Sequence, residues 1–170
     1  MDRNIREEES LVGVRHIRAV GARAWADVCA SVEAQLGPLD LGLLDKMLKA
    51  GRSQRDIQAE VLKHQGPLGL LLFGSLDHGA GATLGGKPEK AKQYVVGNPF
   101  IAQQMTIHDI RAGLYAPLRM YVYALGPKET AIDYDLPSSL FGQFGNEQVA
   151  PVAKSLDEKM QTLVTNALKS

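Results

Sequence analysis

The segment "APLRMYVYALGPKETAIDYDLP" (116–137) constrains the chain most, because it reads as two strands joined by a turn at Gly126-Pro127-Lys128-Glu129. Successive side chains of a strand point to opposite faces of its sheet. Over 118–125 that puts Leu118, Met120, Val122 and Ala124 on one face and Arg119, Tyr121, Tyr123 and Leu125 on the other. The returning strand offers Asp133 and Asp135 on one face and Ile132, Tyr134 and Leu136 on the other. The hairpin therefore calls for a sheet with one core face and one face that mixes a guanidinium with two phenols. Such a face meets solvent, lines a pocket or pairs with a second subunit. A row of tyrosines and arginine suits the last two, since these residue types combine an apolar body with a polar tip.

The rest of the chain supplies the layer that covers the core face. "SLVGVRHIRAV" (10–20) reads as a strand. In "GARAWADVCASVEAQLG", Trp25, Val28, Cys29, Val32 and Leu36 share one helical face, closed by Gly37-Pro38. Asp40 caps a short second helix ended by Gly51, and Ser53 with Asp56 opens a third, ended by Gly66-Pro67. The period then changes: "PLGLLLFGSLD" reads as a central strand and "KAKQYVVGNP" as another, stopped by Gly97-Asn98-Pro99. "FIAQQMTIHDIRAG" is helical, with Thr106 and Asp109 forming an internal capping pair that splits it. Val149, Val152, Leu156, Met160, Leu163, Val164 and Leu168 form the stripe of a terminal helix, with Pro151 tolerated in its first turn. No regular βαβα alternation appears, so the expectation is one α+β domain over 10–170, an antiparallel sheet with helices on one face. Residues 1–9 read as a flexible N-terminal arm, and the helices at about 40–65 as an elaboration.

Charge and cysteine content narrow the partners. The chain has 170 residues with 19 basic and 19 acidic side chains, so no bulk field recruits nucleic acid or an anionic membrane. No apolar run approaches the roughly 20 residues that span a bilayer, and "MDRNIREEES" has no apolar leader core. Cys29, the one cysteine, cannot form an internal disulfide. A cytoplasmic location follows as the default expectation.

Several polar residues stand where chemistry is possible. In "GSLDHGAGATLGG" (74–86) an apolar strand ends on Asp77 and His78 beside backbone without side chains, where a small molecule can approach or a glycine-rich connection can simply turn. His78 and His108 each adjoin an aspartate and sit at the border of an element, whereas His16 and His64 read as structural or surface residues. Asn98 exits a strand or offers its amide to a ligand. Arg119 clamps a carboxylate or forms an internal salt bridge to Asp133 or Asp135. "DYDLPSS" is the richest polar cluster, with Asp133, Tyr134, Asp135 and Ser138 in one short stretch. Metal-ligand spacing, a phosphate loop and a nucleophile elbow are all missing, and Cys29 lies on an apolar helix face.

"LDHGAGATLGG", "QYVVGNPFIAQQM", "AGLYAPLRMYVYA" and "IDYDLPSSLFGQFG" occur in an order and at separations that resemble the family called domain of unknown function 302, across about residues 68–168. The resemblance implies a curved antiparallel sheet with helices on one face, similar in outline to the TATA-box-binding-protein and helix-grip folds, and it suggests a homodimer. It implies no reaction and carries over no catalytic residue. Three functional readings follow. The first is a small-molecule-binding protein, with Asp77, His78, Asn98, Arg119, Tyr121, Tyr134, Asp135 and Ser138 as candidate ligand contacts. The second is a cofactor-free acid/base enzyme of the isomerase, lyase or cyclase type, with His78, His108 and Asp133 as candidate catalytic groups. Haem or metal binding is the third, and no cofactor is expected.

Overall fold

Alternating apolar residues build a six-stranded sheet in the computed structural model, which describes residues 5–86 and 89–169. The strands are β1 (His16–Gly21), β2 (Gly37–Pro38), β3 (Leu71–Asp77), β4 (Ala91–Gly97), β5 (Leu118–Gly126) and β6 (Glu129–Asp135), in the spatial order β1-β6-β5-β4-β3-β2. Every neighbouring pair is antiparallel except β2–β3, so the expected antiparallel sheet becomes mixed at one edge. The first strand begins at His16 rather than at residue 10, and residues 10–15 precede it without regular structure. Residues 1–4 of the expected arm lie outside the described residues.

The helices are α1 (Trp25–Ala34), α2 (Leu41–Lys49), α3 (Gln54–His64), α4 (His78–Leu84), α5 (Pro99–Thr106), α6 (Pro137–Phe141) and α7 (Val149–Leu168). Local capping explains several starts. Asp40 accepts from the Gly42 amide at 2.8 Å and Ser53 from the Asp56 amide at 3.2 Å, as their spacing predicts. Asp109 accepts from the Arg111 amide at 3.0 Å and opens a separate 3-10 turn (Ile110–Tyr115), so the split falls where anticipated but not by a Thr106–Asp109 pair: Thr106 ends α5, with its hydroxyl donating to the Gln103 carbonyl at 3.5 Å. α4, α6 and the two-residue β2 were not anticipated: α4 is disguised by its glycines, and the other two are too short to carry a periodic signal.

Tyr94, Val96, Met120, Val122 and Ile132 project from one sheet face onto Val28 and Val32 of α1 and onto Leu156, Met160 and Leu163 of α7. Polar stitches fix that layer: the Trp25 indole donates to the Val122 carbonyl at 3.1 Å, and Arg23 donates to the Ala167 carbonyl at 2.8 Å. The helical layer is not confined to this face. At the start of β3, Leu70, just before the strand, and Leu72 turn to the main core while Leu71 and Phe73 turn the other way, toward a second cluster with Leu39, Val61 and Phe100 beneath α2 and α3. Register slips between Leu72 and Gly74, and this bulge brings Ser75 opposite Tyr94. Cys29 is buried in the main core, where desolvation pushes its thiol pKa up, in accord with an inert core thiol.

Candidate functional site

The face of β1, β6, β5 and β4 turned away from the main core carries the polar residues. Register aligns Arg18, Asp133, Tyr121 and Gln93 in one row across the four strands. In the adjacent row His16 stands opposite Asp135, and Arg119 stands opposite Val95. Because all these residues sit on paired strands, their Cβ atoms are fixed by the sheet.

Two carboxylates organise this face. The His16 imidazole lies between them, with Nδ1 2.9 Å from Asp135 Oδ1 and Nε2 3.4 Å from Asp133 Oδ2. The hydrogen bond to Asp135, reinforced by Asp133, raises the His16 pKa above its ordinary value. Tyr123 donates its hydroxyl to the Asp133 carboxylate at 3.2 Å, and partial burial beside that charge raises the phenol pKa. The Arg18 guanidinium stacks over the Tyr123 ring at 5.5 Å, with its Nε 3.9 Å from Asp133 Oδ1. Tyr121 then packs against Tyr123 at 5.6 Å and edge-on against the His78 ring at 5.6 Å. A continuous row runs from His78 through Tyr121 and Tyr123 to Arg18.

Arg119 is treated differently. It is exposed and has no ion-pair partner among the described residues, because His16 occupies Asp135 and His16, Arg18 and Tyr123 share Asp133. The internal salt bridge considered for Arg119 therefore does not form. An open depression of about 260 Å³ lies over this region, bordered by His16, Gln93, Arg119, Tyr121, Asp133 and Asp135. The side of the depression holding Arg119 suits an anionic group.

The structure brings together Arg119, Tyr121, Asp133 and Asp135, with His78 joined to them through the Tyr121 ring. Others lie elsewhere. Tyr134 borders the depression but its side chain is buried on the core face, as the two-residue period of β6 requires. His78 is not carried by the strand: it opens α4, whose N-cap is Asp77, accepting from the Ala80 amide at 3.1 Å. Asn98 caps α5, with Oδ1 accepting from the Phe100 amide at 2.9 Å and Nδ2 donating to the Gly69 carbonyl at 2.9 Å. His108 is exposed after α5, next to Asp109, which caps the 3-10 turn and binds Arg111. Ser138 lies in the first turn of α6, where its amide donates to buried Asp157 at 2.8 Å.

His16, Arg18 and Gln93 are the members that sequence reasoning left out. The signal was present in "HIRAVG", where His16 and Arg18 alternate with Ile17 and Ala19. Its meaning depends on β1 pairing with β6, which no local pattern specifies. Among the described residues no three His, Cys, Asp or Glu side chains are grouped to hold a metal ion. No helix among them is long and apolar enough to cross a membrane.

Residues 52–167 match the family model described as domain of unknown function DUF302, a span that takes in α3 and the later elements up to the penultimate residue of α7. No curated protein matches the chain. Among solved structures, the chain is similar to the crystal structure of an uncharacterized conserved DUF302 protein from Bacillus stearothermophilus, with a TM-score of 0.61 at 12% identity. The likeness covers 89% of this chain and 97% of that one, and it speaks to the fold alone.

Proposed function

Since the chain belongs to the DUF302 family, to which no reaction is assigned, we propose from its own geometry that it binds a small carboxylate-bearing molecule on the polar sheet face. The observation that carries this reading is Arg119, a guanidinium left without an ion-pair partner among the described residues although two carboxylates share its face. Gln93 and the Tyr121 ring border the same depression, offering an amide and an aromatic surface to the rest of the ligand. A guanidinium held on a strand gives geometry as well as charge.

The reading includes a homodimer in cytoplasm. Val20, Leu76 and Leu125 are exposed, and a second copy packed over them would exclude water from the depression. Sedimentation at micromolar concentration is expected to give twice the 18.4 kDa chain mass, and a monomer mass would end the dimer reading.

Acid/base catalysis is the second reading, favoured by the His16–Asp135 pair at 2.9 Å beside the Tyr123–Asp133 pair. Of the candidate catalytic groups, Asp133 lies within this cluster. Titration calorimetry with citrate and 4-hydroxybenzoate tests binding. Arg119→Ala is expected to weaken the better probe at least about tenfold without lowering Tm, as loss of a charge-assisted contact of roughly 1.5–3 kcal/mol implies. Unaltered affinity in that variant, or no heat with either probe, would refute the assignment. Chemical conversion of a bound probe that disappears in His16→Gln would select the enzyme.

A further inference from the structure

We infer that the chain carries a second, separate binding site, a cavity that takes one small neutral apolar molecule of about one substituted aromatic ring. The cavity has a volume of about 210 Å³ and lies between α5, α6, α7 and the ends of β4 and β5. Met105, Phe141 and Leu156 are buried residues of its lining, and Ala102 and Ala116 are half-buried ones. Three of the four sequence motifs that resemble the family meet there: "QYVVGNPFIAQQM", "AGLYAPLRMYVYA" and "IDYDLPSSLFGQFG" each contribute lining residues. The polar face leaves most of these residues unexplained.

Small residues hold the space open. A Cβ at Gly97 would lie 3.1 Å from the Phe73 ring and 3.4 Å from the Pro117 Cβ, so any side chain there would press between those two groups. Ala102 and Ala116 end at Cβ, where a larger aliphatic side chain would fill the volume. The polar hook one would look for is already spent: the Asn98 side chain caps α5 and holds the Gly69 carbonyl. Among the described residues, Asn98 is the one polar side chain lining the cavity and no charged residue lines it. A charged ligand would lose its hydration with no compensating partner. A neutral apolar one gains dispersion contacts with the lining and covers apolar surface otherwise left to solvent. An enclosed apolar cavity of roughly 150 Å³ accepts benzene, and this pocket, larger and partly open to solvent, has room for a ring with a short substituent or an indole.

The test uses the full chain with indole and benzene at millimolar concentration, read by thermal denaturation and by amide chemical shifts. A tenfold excess over Kd is expected to raise Tm by roughly 3–6 °C, and to shift the amides of Gly97, Ala102 and Ala116. Arg119→Ala is expected to respond as the wild type does, which separates this site from the polar face. Ala102→Leu fills the volume and is expected to abolish the response. If that variant does not fold, the wild-type amide map decides alone. No Tm rise with either probe, shifts confined to residues away from the cavity, or a full response in folded Ala102→Leu would each overturn the assignment.

Discussion

Two glycines in α4, Gly79 and Gly81, are expected to respond with opposite signs to the same substitution. Glycine in a helix interior costs roughly 0.5–1 kcal/mol relative to alanine, because its backbone loses more freedom on folding. At Gly81 nothing stands within 4 Å of an added Cβ, so Gly81→Ala gains that amount undiminished. With about 2–4 °C per kcal/mol for a domain of this size, Tm should rise by roughly 1–4 °C. At Gly79 the added Cβ would sit 2.3 Å from the Glu89 carbonyl oxygen and 3.2 Å from the Ala91 amide nitrogen, where α4 crosses the entry to β4. Relieving that overlap moves backbone, and overpacking of this kind costs about 1–3 kcal/mol, enough to overwhelm the helix gain. Gly79→Ala should therefore lower Tm, and the displaced helix should carry His78 off the Tyr121 ring, visible as a change in the His78 imidazole resonances. Chemical denaturation of the two variants beside the wild type, with equal m-values, measures the difference. The same sign and size at both positions would show that α4 does not pack against residues 89–91 as described.

Leu156→Ala should cost on the order of 2–5 kcal/mol, since Leu156 is buried beneath α7, whereas exposed Lys154→Ala should be near neutral by the same denaturation assay. Gly37→Ala should be among the most damaging single changes, because its Cβ would fall 1.3 Å from the His64 carbonyl oxygen; loss of the cooperative transition, or of soluble expression, is the expected readout. His16 has its folded-state pKa raised above 6.5, so its contribution to stability is fully present below that pH and disappears as pH rises through the folded value. The stability difference between wild type and His16→Gln should thus shrink on going alkaline, from at most about 1 kcal/mol given the exposure of the pair. A difference that grows with pH would contradict the His16–Asp135 assignment.

Sequence by itself determined the elements whose signal is local and the face each residue occupies. The 118–135 hairpin, the α7 stripe, the Asp40 and Ser53 caps and the break before Ile110 all follow from periodicity or from side-chain hydrogen bonds within three residues. Alternation also placed Arg119, Tyr121 and Tyr123 together, and Asp133 with Asp135, on faces opposite Met120 and Tyr134. Tertiary structure decided the rest, because strand order and register are set by contacts far apart in sequence. Pairing of β1 with β6 turned His16, read as a structural or surface residue, into the partner of Asp135, 119 positions away, and so left Arg119 without an ion-pair partner among the described residues. Gly37 and Gly66 read locally as helix terminators, yet their close backbone approaches to His64 and Gln35 give a stronger reason for having no side chain. "HGAGATL" became a helix despite its glycines, since Asp77 caps it and only a residue without Cβ at 79 fits beside the Glu89 carbonyl. Local propensity could not report that contact, because the atoms that make it necessary enter from the other side of the turn.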